Sequence, residues 1–392
     1  MKISIDAQPL VCQNKSGIGY YGHNLLLELS KNEKTKLVLE FFAFRHSKEK
    51  IACAEQYCAG NVALDACVWF TNRIYLLLTA VLPISRSFFF SNSSDANFYF
   101  NYILPPGVHG KKVVVVHDMV FRDCPETASL KTRFLLTLFL KRSLKRADRI
   151  VTVSEFSKQR IQNYYGIPDE RISIVPCGVD IEQYHPLNDI SLIDSVKAKY
   201  NIDGEYFFYL GTLEPRKNIL NLIRAYEMFI KGRNKFPKLV LSGGNGWLFD
   251  EIFEYVDKSG LNEQVVFTGY IDDADKVPLL CGAELFCFPS LYEGFGIPIL
   301  EAMACGTPVL TADSSSLPEV GGNACEYCDP TSVESICDSL KTLWDDPQRR
   351  NVLSAAGLEQ SKKFSWKASA QKLTEIFSSL TEEQNGGTNE SP

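Results

Sequence analysis

The chain has 392 residues, of which 45% are apolar and 22% charged, and a formal net charge of −6. That length is too great for one ordinary core and predicts two domains, and the balanced composition excludes a disordered or low-complexity chain. The charge is unevenly placed: residues 1–190 carry 23 Lys and Arg against 18 Asp and Glu, and the remainder 18 against 29, so the first half suits an anionic partner. An acidic chain with no aromatic-basic recognition motif argues against nucleic acid.

In chain order, MKISID reads as a strand and lacks the cationic and continuous apolar regions of a secretory signal. The loop Lys15-Ser16-Gly17-Ile18-Gly19 then leads into a helix expected over about 20–29. Gly17 and Gly19 would offer backbone N–H groups to a diphosphate or an acceptor from the opposite domain. VLEFFAF (38–44) is a second strand. The most apolar run, 69–90, is broken by Arg73, Pro83 and Arg86, far short of the ~20 apolar residues a membrane span needs. A membrane-surface role stays open to it. Further strands are expected at 97–104, 113–118, 149–154 and 171–180. His117-Asp118 ends the strand VVVVHD, at the carboxyl edge where ligands of open α/β sheets bind. The segment 131–149 has seven basic residues, one acidic residue and an apolar face at helical spacing. It is either a core-packed helix with a solvated basic flank or a surface for an anionic membrane.

The strand rhythm breaks at 182–202, which sets the expected boundary between a first domain, 1–190, and a second, 191–365. Strands resume at 206–211, 238–244, 264–270, 284–290 and 307–313, with a helix from Asn218 after the first of them. They are apolar throughout, as parallel strands buried on both faces must be. The fold class is therefore α/β: two facing, doubly wound, Rossmann-like parallel sheets. An amphipathic helix over 366–380 follows, and the tail 381–392 lacks the apolar content to fold. Twelve cysteines without framework spacing read as reduced cytoplasmic thiols, and Cys325-x-x-Cys328 has no second pair to complete a zinc site.

The chemistry concentrates in two stretches, YLGTLEPRKNIL (209–220) and LYEGFGIPILEAMACGTPVL (291–310). Adjacent cations at Arg216 and Lys217, just past a strand, suit a diphosphate, and fixed charge there stabilises the leaving group as it departs. A cation pair at a helix N-terminus opposes the helix dipole, so a bound anion is the simpler account. Glu293 and Glu301 flank the turn Gly294-Phe295-Gly296, and each carboxylate can accept paired hydroxyls of a sugar or ribose. The two glycines let backbone N–H groups approach an anionic oxygen ahead of a helix. The alternative role for Glu301 is to stabilise that helix's first turn and nothing more. No Asp-x-Asp stands at a strand end with an acidic partner, and Asp272-Asp273, in a loop, is the nearest imitation, so no metal and no cofactor are expected.

With these segments the chain resembles the family 4 retaining glycosyltransferases of the GT-B fold, over roughly 1–380. The resemblance is carried most by LGTLEPRKN, SGGNGW, FTGYI, AELFCFPSLYEGFGIPILEAMACGTPV and SSLPEVGG, and by the Glu293-x7-Glu301 spacing. Within the family the chain is most similar to bacterial mannosyltransferases of O-antigen and other surface polysaccharides. The resemblance implies that Glu301 binds ribose, that Glu293 and His117 face the donor sugar, with Asp118 beside them, and that the base sits near Tyr270-Ile271. It implies a hexose, mannose from GDP-mannose first, passed with retention to a glycan or lipid-linked glycan in a cleft between the domains. UDP-glucose, UDP-N-acetylglucosamine and GDP-rhamnose are rival donors. A rival of another class is an inert nucleotide-sugar-binding or scaffold protein, against which the four intact residues Arg216, Lys217, Glu293 and Glu301 argue. The expected location is cytoplasmic, with peripheral attachment to the inner membrane face possible through the basic half. The resemblance also implies that the C-terminal helix crosses back to the first domain.

Overall fold

A computed structural model describes residues 1–12, 17–58, 60–82, 84–90, 93–244, 246–247 and 249–386. The chain divides into two compact units, one of Met1–Asp123, Ala128–Cys177 and Trp366–Pro392, the other of Cys124–Thr127 and Gly178–Ser365. The passage between the sheets falls at Cys177–Gly178, earlier than the expected residue 190.

In the first unit, seven strands form one parallel sheet: Lys2–Asp6 (β1), Lys36–Phe42 (β2), Val62–Cys67 (β3), Ala96–Tyr99 (β4), Lys111–Val115 (β5), Arg149–Thr152 (β6) and Ile172–Ile174 (β7). Their order is β3-β2-β1-β4-β5-β6-β7. The central strands are apolar on both faces because helices cover both, and Leu37 to Phe42 are all buried. In the second unit, Tyr206–Leu210 (β8), Lys238–Ser242 (β9), Val265–Gly269 (β10), Leu285–Phe288 (β11), Val309–Ala312 (β12) and Cys325–Cys328 (β13) form a second parallel sheet in the order β10-β9-β8-β11-β12-β13. That is the doubly wound order in which the chain starts at the middle, builds one edge, and then crosses over to build the other. Ligands of such sheets bind outside the carboxyl ends of the two strands at the crossover, here β8 and β11.

Several expectations need adjusting. β3 and β13 were not anticipated, and both lie at a sheet edge. The strand expected over 113–118 ends at Val115, so His117 and Asp118 stand in the segment that follows it. The C-terminal helix runs Trp366–Gly386, beyond the expected residue 380; it belongs to the first unit, where Trp366 meets Tyr21 edge-on and Phe377 meets Phe98. Of the expected tail, 387–392 lie outside the described residues, as do Lys15 and Ser16 of the first glycine loop. Within the 69–90 run, Asn72–Val81 is a helix capped by Thr71, whose Oγ1 accepts the Ile74 N–H at 3.2 Å. Among the described residues no helix is long and apolar enough to cross a membrane. Cys325 and Cys328 are three apart on β13, hence on opposite faces of the strand, and that spacing cannot bring them to one metal.

Candidate active site

The site in the second unit is built at its crossover strands. Past β8, β9 and β10 the backbones run close together: Gly211 N–H reaches Ser242 O at 2.9 Å, Leu213 N–H reaches Gly244 O at 3.0 Å, and Gly243 N–H reaches Gly269 O at 2.8 Å. A Cβ on Gly243 (φ 146°) would collide with the carbonyl of Gly211, so only glycine permits this lacing. Pro215–Lys217 then makes one 3-10 turn, closed by Asn218 in the left-handed region (φ 63°). The buried Asn218 amide donates to Pro289 O at 3.0 Å and Pro330 O at 2.7 Å. Arg216 O accepts the Leu291 N–H at 2.9 Å, and the Arg216 guanidinium donates to Tyr292 O at 2.8 Å. The turn after β8 is thereby fastened to the loop after β11.

These two segments carry the charges. Glu293 Oε1 lies 2.6 Å from Lys217 Nζ, and its Oε2 lies 2.8 Å from an Arg216 nitrogen. The other arm of the Arg216 fork takes Glu214 at 2.8 Å. Burial alone would raise the Glu293 carboxyl, but the Arg216 and Lys217 cations outweigh it and hold it at about 2. Lys217 lies 4.9 Å from the centre of the Phe288 ring, and burial and the neighbouring Arg216 push its ammonium below the ordinary range. Arg216, Lys217 and the ionised Glu293 thus form a single nearly buried cluster, which Glu214 on the other arm of Arg216 brings to charge balance until a ligand enters. The sequence had treated the cations and Glu293 as separate contacts for diphosphate and sugar. The fold makes them one unit, in which Glu293 fixes the cations' positions.

The Gly294-Phe295-Gly296 turn is held from below. The single O–H of Ser316 is shared between Glu293 O and Phe295 O, each 2.9 Å from Oγ, and Ser315 Oγ accepts the Glu293 N–H at 2.9 Å. Gly296 (φ 112°) caps helix Ile297–Ala304, and a Cβ there would come within 2.8 Å of Leu317. Phe295 is buried edge-on against Phe364, which makes it an anchor for the turn rather than a surface for a ligand. Asn218, Ser315 and Ser316 were overlooked in the sequence. The only signal was their place beside motifs, in PRKN and in a serine run ahead of Leu317-Pro318.

Glu301 sits on helix Ile297–Ala304, one turn in. Burial raises its carboxyl to about 7, against the pull of Lys276 and a hydrogen bond from Tyr184. Lys276 pairs with Asp273 at 2.6 Å and is within electrostatic reach of both Glu301 and Tyr270. Glu301 therefore shares its surroundings with the expected base segment, where Tyr270 is exposed and Ile271 buried. Asp272 and Asp275 both bind Lys199 at 2.6 Å, so the acidic pair considered for a metal has Lys199 on Asp272 and Lys276 on Asp273.

The other candidates belong to the first unit. His117 Nε2 lies 2.7 Å from Phe100 O; a carbonyl can only accept, so Nε2 carries the proton and Nδ1 is left as an acceptor in the neutral ring. Burial lowers its pKa and favours that neutral form. Asp118 accepts the Tyr102 O–H at 3.0 Å and the Val120 N–H at 3.1 Å, both of which bind the local turn. Gly17 and Gly19 lie in the first turn of helix Gly17–Ser30, where backbone N–H groups have no partner within the helix.

Two doubly wound parallel sheets, the second bearing a cationic cluster at its crossover, define a sugar transferase of the GT-B class. Solved structures with this fold include sucrose-phosphate synthase from Thermosynechococcus elongatus (TM-score 0.73, 17% identity, covering 98% of this chain and 100% of that one). Another is WaaG, a glycosyltransferase involved in lipopolysaccharide biosynthesis (TM-score 0.69, 15% identity, 96% and 99% covered). Residues 193–360 match the family model "Glycosyl transferases group 1", and 94–183 match "Glycosyltransferase Family 4". The Escherichia coli O-antigen chain mannosyltransferase B is 36% identical over 270 residues, covering 68% of this chain and 69% of that protein. The Escherichia coli serotype-specific mannosyltransferase WbdA is 32% identical over 296 residues, which is 74% of this chain but only 36% of that longer protein. The chain belongs to the family 4 glycosyltransferases of the GT-B fold.

Proposed function

We propose that this glycosyltransferase moves mannose from GDP-mannose to a glycan or lipid-linked glycan in O-antigen or related polysaccharide synthesis, with retention at the anomeric carbon and without a metal. The observation that carries the reading is the Arg216–Lys217–Glu293 cluster past β8 and β11. Two positioned cations offer the developing diphosphate charge a partner that needs no reorganisation. Glu293, held ionised by the two cations, is the carboxylate assigned in this reading to stabilising positive charge on the sugar ring in a transition state of oxocarbenium character. The bond from C1 to the diphosphate oxygen breaks, the bond from C1 to the acceptor oxygen forms on the same face, and a diphosphate oxygen takes the acceptor proton. Mannose and the O-antigen setting are supported by the names of the relatives.

Attachment to an anionic leaflet belongs to the same proposal. Helix Asn72–Val81 leaves Ile74, Leu77 and Leu78 exposed, with Leu77 at 62%, and Phe88 beyond it is 71% exposed. Helix Leu130–Arg146 presents Leu130 and Phe134 to solvent, then Lys141, Arg142 and Lys145. Apolar side chains followed by cations suit insertion beside acidic headgroups. The test of function is donor turnover: the purified protein is given GDP-mannose, UDP-glucose, UDP-N-acetylglucosamine and GDP-rhamnose, and release of nucleoside diphosphate is followed. Release only from GDP-mannose supports the proposal, whereas a preference for a uridine donor overturns the choice of sugar.

A further inference from the structure

Two thiols of the second unit stand side by side and take no part in the proposed transfer. Cys281 ends helix Lys276–Cys281, and Cys305 directly follows helix Ile297–Ala304, the helix that carries Glu301. Thr307 Oγ1 donates to Leu280 O at 2.7 Å, which fastens the two helix ends together. The Cys281 sulfur lies 3.7 Å from Cys305 O and 3.5 Å from His185 O. We infer that Cys281 and Cys305 are a dithiol oxidised by hydroperoxides, and that closing it to a disulfide weakens the hold of Glu301 on the donor. The effect on the donor rests on the proposed ribose contact of Glu301; the closure itself does not.

A hydroperoxide needs a thiolate it can reach and a second thiol to resolve the product. Cys281 is half-buried beside the exposed His185, whereas Cys305 is buried. The Cys305 S–H, within hydrogen-bonding reach of the Cys281 sulfur, holds the Cys281 thiol below its ordinary range against burial, with help from the Leu187 backbone. The same contact, and burial after it, push the Cys305 thiol up. Cys281 is therefore the nucleophile and Cys305 the proton-bearing partner. The Cys281 thiolate attacks one peroxide oxygen, the O–O bond breaks, and Cys281 becomes a sulfenic acid as hydroxide leaves. That hydroxide takes the Cys305 proton. The Cys305 sulfur then attacks the Cys281 sulfur, the S–O bond breaks, and the departing hydroxide takes up the proton Cys281 first gave up. Two thiols and one peroxide thus yield one disulfide and two waters; the sulfurs are oxidised and the peroxide oxygens reduced.

The surroundings carry the change to Glu301. A disulfide holds its sulfurs about 2.05 Å apart, well inside any hydrogen-bonded separation, so closure draws the two helix ends together. Cys305 N–H bonds Glu301 O at 3.1 Å, so a shift of Cys305 is felt one helical turn back. Closure also deletes the S–H that His185 O accepts, and His185 follows Tyr184, whose hydroxyl bonds the Glu301 carboxylate. Lys276, the cation within reach of Glu301, opens the Cys281 helix.

The test treats the whole reduced protein with hydrogen peroxide, alkylates the remaining thiols and maps the peptides by mass spectrometry without reduction. A linked Cys281–Cys305 pair is expected in the wild type, and Cys305→Ser is expected to leave Cys281 as a sulfenic acid that dimedone traps. Calorimetry then measures the affinity for GDP and UDP, which share the ribose. Whichever nucleotide the reduced protein binds is expected to bind at least fivefold more weakly after oxidation and to recover with dithiothreitol. Its affinity for Cys281→Ser is expected to be the same before and after peroxide. Both thiols still alkylated after peroxide, or a sulfinic acid at Cys281 in the wild type, would overturn the site. A linked pair with unchanged nucleotide affinity, or a loss of affinity that persists in Cys281→Ser, would overturn the coupling to Glu301. If the pair closes and neither nucleotide binds even the reduced protein, the dithiol stands and the donor reading falls.

Discussion

At the scale of single residues, the cluster predicts a division of labour. Each charge-assisted contact from Arg216 or Lys217 to a diphosphate should contribute about 1.5–3 kcal/mol, so Arg216→Ala and Lys217→Ala should each lower donor kcat/KM by about ten- to hundredfold. Glu293→Gln should lower kcat more than it changes donor KM, and Glu301→Gln should do the reverse. Wild-type kcat/KM in either cation variant, or matching kinetic patterns for the two glutamates, would contradict this. Glu301 adds a pH signature. Its folded carboxyl is raised from 4.5 to about 7, so the folded state binds its proton more tightly and stability falls as pH rises across that window. On the proposal that Glu301 grips ribose hydroxyls, which an ionised carboxylate accepts more strongly, donor kcat/KM should rise as pH passes through about 7, and Glu301→Gln should flatten that limb of the profile. The four charged residues were legible in the sequence because their type and order state their chemistry. Their mutual pairing was not, since a separation of 76 in sequence between Lys217 and Glu293 says nothing of a 2.6 Å contact until β8 and β11 are neighbours.

At the scale of elements, the loop after β11 depends on a partner remote in sequence. Ser316→Ala removes the one hydroxyl donor shared by two loop carbonyls and should cost about 1–3 kcal/mol of stability, seen as a lower thermal midpoint together with a lower kcat. An unchanged midpoint would mean that the turn holds its shape without Ser316. For helix Leu130–Arg146, reversing Lys141, Arg142 and Lys145 to Glu should abolish sedimentation with anionic liposomes, each cation contributing about 1 kcal/mol near such a surface. Arg146 is excluded from that set because its guanidinium reaches Leu104 O at 3.2 Å and serves the fold. If the wild-type protein does not sediment with these liposomes at low salt, the membrane proposal goes. Central strands were readable as continuous apolar runs, whereas β3 (VALDAC) and β13 (CEYC) escaped. Each is an edge strand with one neighbour and an incompletely buried face, so neither sequence carries that run.

At the scale of the whole molecule, two doubly wound sheets and family membership fix a glycosyltransferase, and what is left to decide is the reaction's particulars. The strand order places Arg216, Lys217 and Glu293 past the crossover pair of the second sheet. The C-terminal helix Trp366–Gly386 returns the chain to the first unit, a connection that only the resemblance had suggested, because no local pattern encodes which sheet a terminal helix will cover. The proposed metal independence rests on the paired cations, and the proposed mannose donor on the names of the relatives. The most direct measurement is proton NMR of the anomeric signal while the protein, in excess EDTA, is given GDP-α-mannose and α-mannobiose. The account predicts a new α-mannosyl signal and stoichiometric GDP, both reduced at least tenfold by Lys217→Ala. A β-linked product, or activity that vanishes in EDTA and returns with magnesium or manganese, would contradict it.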